Sequence, residues 1–454
     1  MVARSSLSVR TALWCGFSLL PACAAAGPDV RHRHAVTLAR AQPVAAFDTD
    51  PFAGAVELER GVLVSAVLAR NPDVAAARAG WRRALARYPQ ARAIDDPVVR
   101  YRVAPLSIAG DAPFGHAVEI EQMVPWPGKR GLAGEVALAE ADARRGEVEE
   151  VRLRLALMTA LLFDDYYVVA RALEVNARHQ ALLGQIAASV EVQYAVGRGS
   201  PQDPLQAQTS IVRADRERIG FETERAVVVA QLNGLLHRDP EAPIPPPPHE
   251  LALPLEATLD GLDAAALAST ALGVRPELSI RGAEAAQAEA SRRLAAQGAR
   301  PDLGIMAGYD SMWDMAAHRW MVGVSVAIPL VGSGRTAAVD EAEAGIAQAR
   351  HDRSATEDMI RVEVATAVAR LHEARAVGEL FDRRLLPAAR AQVDAALAGY
   401  ISDQNSLQVV IESQRGLRDA ELDRERARAD VHRRLAELDR AVGKVPGLDD
   451  GGVR

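Results

Sequence analysis

The chain has 454 residues, 25% of them charged, and a formal net charge of −7, so no basic footprint for nucleic acid is present. With 49% hydrophobic but only 4% aromatic residues, the composition argues against a strand-rich sandwich and favours long helices. The two cysteines, Cys15 and Cys23, both lie near the N-terminus, which leaves the rest of the chain without a disulfide framework or a thiolate metal site.

Residues 1–26 read as an export signal. Arg4 and Arg10 form the positive region, and Thr11 to Leu20 an apolar run too short to span a bilayer. Two cleavage sites compete. Ala24-Ala25-Ala26 precedes Gly27, and Leu20-Pro21-Ala22-Cys23 resembles a lipobox cut before residue 23, with lipidation at Cys23. Residues 27–55 are expected to form an extended arm. His32 and His34 are spaced as His-x-His within it and are read as tail rather than as metal ligands.

A first repeat spans 56–239. Its opening helical pattern is interrupted at Asn71-Pro72. Alternating segments at Val99–Val103 and Val118–Gln122 predict a strand hairpin over 98–124, with Arg100 and Arg102 sharing a face with Glu119 and Glu121. A helical hairpin is predicted over 131–237. Apolar residues at 148, 151, 155, 158, 162, 166, 169 and 173 read as a coiled-coil seam. A helix of roughly 65 residues would span about 100 Å, far more than a globule needs. Gly197 and Gly199 let the chain reverse at the tip. A proline-rich connector follows over 240–257.

The second repeat, 258–443, copies the first. Arg275-Pro276 lies 204 positions after Asn71-Pro72, and Ile328-Pro329 with Gly332 lies 204 after Val124-Pro125 with Gly128. Tyr400, Gln414 and Gly443 lie 206 after Tyr194, Gln208 and His237. So constant an offset marks an internal duplication. It places a strand hairpin at 302–329 and a helical hairpin at 336–442, with Pro387 expected to kink the latter, and leaves 444–454 as a tail. In the second strand pair Trp320, Val322, Val324 and Val326 alternate with small or polar residues, and Leu303, Ile305 and Tyr309 form the partner face. That alternation is the pattern of lipid-facing barrel strands. With Val99, Tyr101, Val118 and Ile120 these residues form the expected membrane-facing set.

The chain resembles the TolC-like outer-membrane efflux protein family, the outer-membrane factors of tripartite efflux systems, from about Val56 to Gly443. The carrying residues are Tyr194, Gly197 and Leu205-Gln206-Ala207-Gln208 in the first repeat. In the second they are Leu385-Leu386-Pro387, Gly399-Tyr400, Ser406 and Ser413-Gln414-Arg415. Val124-Pro125-Trp126-Pro127-Gly128-Lys129-Arg130 is similar to the branch that serves heavy-metal cation exporters. The resemblance implies a mainly α fold with a small β part: long coiled-coil hairpins plus four membrane β-strands per chain. Three chains would close a trimeric twelve-stranded barrel, continued by a helical tube from the outer membrane into the periplasm. It implies adaptor docking at the tips, through Tyr194, Gly197, Arg198, Gly199, Ser200, Tyr400, Gln404 and Asn405. By distance from the tyrosines it implies a gate at Asp203 and Glu412, the remaining matched position, Val409, lacking the acid. The implied partners are a second and third copy, a periplasmic adaptor, an inner-membrane efflux transporter and outer-membrane lipid.

No nucleophile–base pair or phosphate-binding loop is found, so neither an enzyme nor a cofactor is expected. Met312, Met315 and His318 cluster in the second strand loop. Thioethers suit soft metals, but apolar filler beside a membrane is the plainer reading, and no metal ligand is assigned. The expected function is a passive export duct for heavy-metal cations or small toxic compounds. The alternatives are a periplasmic adaptor, which usually carries one helical hairpin per chain, and a non-pore exported coiled-coil protein, which would not need duplicated strand pairs.

Overall fold

A computed structural model describes residues 26–41, 50–104, 115–197, 200–251, 261–313, 315–329, 332–402 and 404–448. In chain order the elements are α1 (Ala26–Ala41), α2 (Arg60–Arg70), α3 (Pro72–Leu85), α4 (Arg87–Ala91), β1 (Val98–Ala104), β2 (Gly115–Val124), α5 (Lys129–Ala195) and α6 (Gln202–Leu235). The second repeat adds α7 (Ala264–Val274), α8 (Pro276–Gln297), β3 (Asp302–Asp310), β4 (Trp320–Ala327), α9 (Ser333–Leu380), a π-helical turn (Phe381–Leu385), α10 (Leu386–Ile401) and α11 (Leu407–Ala441). The chain divides into two compact units. One comprises Met1–Gln42, Arg82–Ala139 and Gln287–Glu343; the other comprises Pro43–Trp81, Glu140–Ala286 and Ala344–Arg454.

The first unit holds the sheet. Its four strands run in the order β1-β2-β3-β4, every neighbour antiparallel. The expected cross-strand pairing is present: Arg100 bonds Glu119 at 3.1 Å and Glu121 at 2.5 Å, and Arg102 bonds Glu119 at 3.1 Å. Asp302 anchors the start of β3, accepting from Trp126 N at 2.7 Å and pairing with Lys129 at 2.8 Å.

The N-terminal arm corrects the reading of 27–55 as extended, because Ala26–Ala41 is helical. Docking explains this. Asp29 accepts from Tyr88 Oη at 2.7 Å and pairs with Arg92, while His32 stacks on Tyr88 at 4.4 Å and bonds Leu85 O at 3.0 Å. His32 is therefore a packing residue rather than part of a tail.

The second unit holds two equivalent cores. Leu63 and Val67 of α2 pack with Phe163 and Tyr167 of α5 and with Leu232 of α6. In the second repeat, Ala271 of α7 packs with Ile360, Val364 and Leu371 of α9 and with Leu438 of α11. Each fully buried large apolar side chain contributes about 1.5–3 kcal/mol. The repeat is also written in backbone angles. Asn71 ends α2 at φ −63°, ψ 129°, and Arg275 ends α7 at φ −62°, ψ 128°. His237 and Gly443 both take the left-handed conformation, at φ 53° and 84°. The next residues close matching caps, Arg238 N on Asn233 O at 2.9 Å and Lys444 N on Asp439 O at 2.8 Å.

Two helical expectations gain detail. The apolar stripe of α5 is more than a seam. Met158 within it is 45% exposed, whereas Ala156, Ala160, Phe163 and Tyr167 off the stripe are buried, because the helix packs on more than one side. The expected break at Pro387 takes the form of a π-helical turn just before it. The proline ring would clash with the carbonyl four residues back, and the wider turn at Phe381–Leu385 makes room there.

Candidate functional site

The sheet register brings the eleven predicted membrane-facing residues onto one face. Val99 pairs with Ile120 and Tyr101 with Val118; Val118 pairs with Tyr309; Leu303, Ile305 and Tyr309 pair with Val326, Val324 and Trp320. The face is apolar and exposed: Trp320 is 74% accessible, Val322 84% and Val324 69%. Leu303 and Tyr309 are half-buried, Tyr309 because it sits edge-on to Trp320 at 5.2 Å. An apolar strip of this kind across four strands is costly in water and far larger than scattered surface hydrophobics. The opposite face carries Arg100, Arg102, Glu119 and Glu121. Among the described residues, both outer strands, β1 and β4, have one side without a strand partner.

The paired tips form in the second unit. Val190 of α5, Ala207 of α6 and Leu407 and Ile411 of α11 make a small core, with Tyr400 packed against it. Tyr400 Oη donates to Gln193 Oε1 at 3.0 Å, which ties the two hairpins together. Gly197 sits at φ 76°, a conformation other residues resist, and closes the turn through its N–H to Tyr194 O at 3.0 Å. Ser200 and Asp203 form a reciprocal cap for α6. Ser200 Oγ accepts from Gln202 N at 3.3 Å, and Asp203 Oδ2 accepts from Ser200 N at 3.2 Å. In the second tip, Gln404 N and Asn405 N both donate to Gly399 O, at 2.8 and 3.1 Å. Tyr194 is 47% exposed. Glu412 is exposed on α11 and accepts from Gln408 at 3.0 Å. Cys23, Arg198 and Gly199 lie outside the described residues.

Sequence reasoning missed three features. Gln193, the partner of Tyr400, carried no signal beyond its place beside Tyr194. Asp164 is fully buried and paired with Arg60; burial pushes its carboxyl up to about 7 against the pull of Arg60 and Arg433. An acidic pair, Asp164-Asp165, inside an apolar run was the available clue. Arg275 has a fully buried side chain, held by Glu277 at 2.5 Å, Glu363 at 2.8 Å and Ala441 O at 3.0 Å.

Residues 267–444 match the family described as Outer membrane efflux protein. Over those residues the chain is similar to that family. No curated protein sequence matches the chain. Among solved structures, the chain is similar to a membrane protein from Pseudomonas aeruginosa (TM-score 0.74, 17% identity, 87% of this chain and 92% of that one). It is similar to CusC, studied for folding and transmembrane channel formation (0.72, 18%, 86% and 93%). It is also similar to the outer membrane protein VceC from Vibrio cholerae (0.71, 16%, 85% and 96%). At such identities the likeness carries the fold, and it extends beyond the family match into the first repeat. Among the described residues, no helix is long and apolar enough to cross a membrane.

Proposed function

We propose that this protein is the outer-membrane channel of a tripartite efflux system, a passive duct with no chemistry of its own. The observation that carries the reading is the exposed apolar face of an open four-stranded sheet. Lipid tolerates no unpaired sheet edge, and four strands are too few to close alone. A homotrimer would join β1 of one copy to β4 of the next as a twelve-stranded barrel, with the helices continuing as a periplasmic tube. The apolar face then meets lipid, and the Arg100, Arg102, Glu119 and Glu121 face meets the lumen.

In this reading the mature chain is exported under its N-terminal signal, with Cys23 as a lipid anchor. The first repeat spans 56–239, the connector 240–257 and the second repeat 258–443. The tips, Tyr194 to Ser200 and Tyr400 with Gln404 and Asn405, dock a periplasmic adaptor coupled to an inner-membrane transporter. Three copies of Glu412 form a carboxylate ring that favours cations. Asp203, whose carboxylate accepts from Ser200 N at the start of α6, serves the gate as well as that cap. The cargo is heavy-metal cations or small toxic compounds.

Reconstitution into planar bilayers tests the reading. The full chain should recover with outer membranes, run as a heat-modifiable oligomer and give discrete cation-preferring conductance, which Glu412→Ala should make larger or less selective. Recovery only as soluble periplasmic protein without conductance overturns the channel.

A further inference from the structure

The charged face of the sheet carries a second, unexpected composition. No residue of the apolar face is a methionine, whereas Met123, Met306 and Met321 all lie on the face of Arg100, Glu119 and Glu121. Of the chain's eight methionines, Met312 in the following turn also leans onto this face. Filler would be expected where apolar surface is needed, on the opposite side.

Glycines make room for these thioethers. A Cβ on Gly304 would lie 3.0 Å from Met123 Sδ, one on Gly323 3.1 Å from Met306 Sδ, and one on Gly115 2.6 Å from Met312 Sδ. The bed at Gly304 gathers more than sulfur. Glu121 Oε1 lies 3.4 Å from the same point and Ser325 Oγ closer still. Glu121 meets Arg100 through its other oxygen, so Oε1 still faces the bed. A thioether, a carboxylate oxygen and a hydroxyl therefore converge over one glycine, and Met306, the cross-strand partner of Glu121, holds a second thioether over Gly323. Among the described residues, no group of three His, Cys, Asp or Glu is arranged to hold a metal. Thioethers select soft cations.

We propose that Met123, Met306, Glu121 and Ser325 form a contact site for soft monovalent cations, silver(I) or copper(I), on the wall of the duct. The inference rests on the channel reading, in which this face lines the lumen, and it names the cargo class. Sulfur supplies the affinity and Glu121 the charge. Thioethers are neutral, and the site has few ligands, so binding stays weak enough to release.

The test uses full-length protein in detergent and silver(I), which needs no reductant. Methionine oxidation by peroxide is followed peptide by peptide. Silver should slow oxidation of Met123 and Met306 and leave Met158 and Met359, each 45% exposed on α5 and α9, at their own rates. The paired change Met123→Leu with Met306→Leu, which conserves volume, should lower bound silver at equilibrium dialysis, and Met158→Leu with Met359→Leu should not. Equal oxidation of Met123 and Met306 with and without silver overturns the site, even if the leucine variant fails to fold. Bilayer conductance of the same preparation separates the two readings. Conductance without protection sinks the metal site alone, and protection without conductance sinks the duct wall.

Discussion

Arg275 and Asp164 show how differently two buried charges are handled. Arg275 spends its guanidinium on Glu277, Glu363 and a helix-end carbonyl, joining α7, α8, α9 and α11. Arg275→Ala leaves Glu277, which is half-buried, and Glu363 without their main cation. It should lower stability by about 3–5 kcal/mol, read as an earlier denaturant midpoint. Asp164 is the reverse case. Its folded-state pKa, about 7, lies above the ordinary 3.8, so folding favours the protonated form. The stability it contributes is complete below 3.8 and lost as pH rises through about 7. Asp164→Asn should flatten that part of the pH profile, taken as the difference between variant and parent. An unchanged slope would mean the carboxyl is not shielded as its burial implies.

At the scale of elements, the tip depends on its caps. Ser200→Ala removes one half of a reciprocal pair and should cost about 0.5–2 kcal/mol, confined to the first turn of α6. Faster amide exchange there, with α11 unchanged, is the expected sign. The long helices and the strand register were legible because period is a local property of the chain. Arg100 opposite Glu119 is one such success. The helix at Ala26–Ala41 was hidden because its order comes from Tyr88 and Arg92, more than 50 positions away. The Asp203 cap was hidden because a carboxylate three residues after a serine reads equally well as a solvated acid. The breadth of burial around α5 could not be read from one stripe, since it needs the positions of α2, α6 and α11.

At the scale of the whole molecule, the channel reading makes the sheet's apolar face a lipid contact. Val324→Arg should oppose barrel assembly by roughly 2–4 kcal/mol if the residue sits near the bilayer midplane, and should appear as loss of the heat-modifiable oligomer. Brominated lipid should quench Trp320, the most exposed aromatic of the face. Survival of the oligomer with an unquenched Trp320 would place lipid elsewhere.

The π-helical turn carries a historical consequence. The helix of the first repeat, α5, has 67 residues. Its counterpart, made of α9, the turn and α10, has 48, 5 and 16, two more in all. The offset between repeats grows from 204 to 206 across this same stretch. In an unbroken α-helix two extra residues would swing every later side chain by about 200°, carrying Tyr400 away from Gln193. A turn that winds less per residue absorbs part of that rotation. If the two halves arose by duplication, Phe381–Leu385 is where their lengths diverged, and it is the place where this chain can be shortened. Removing two residues there should preserve the folded protein, whereas removing two from the middle of α5 should destroy it, as thermal unfolding would register.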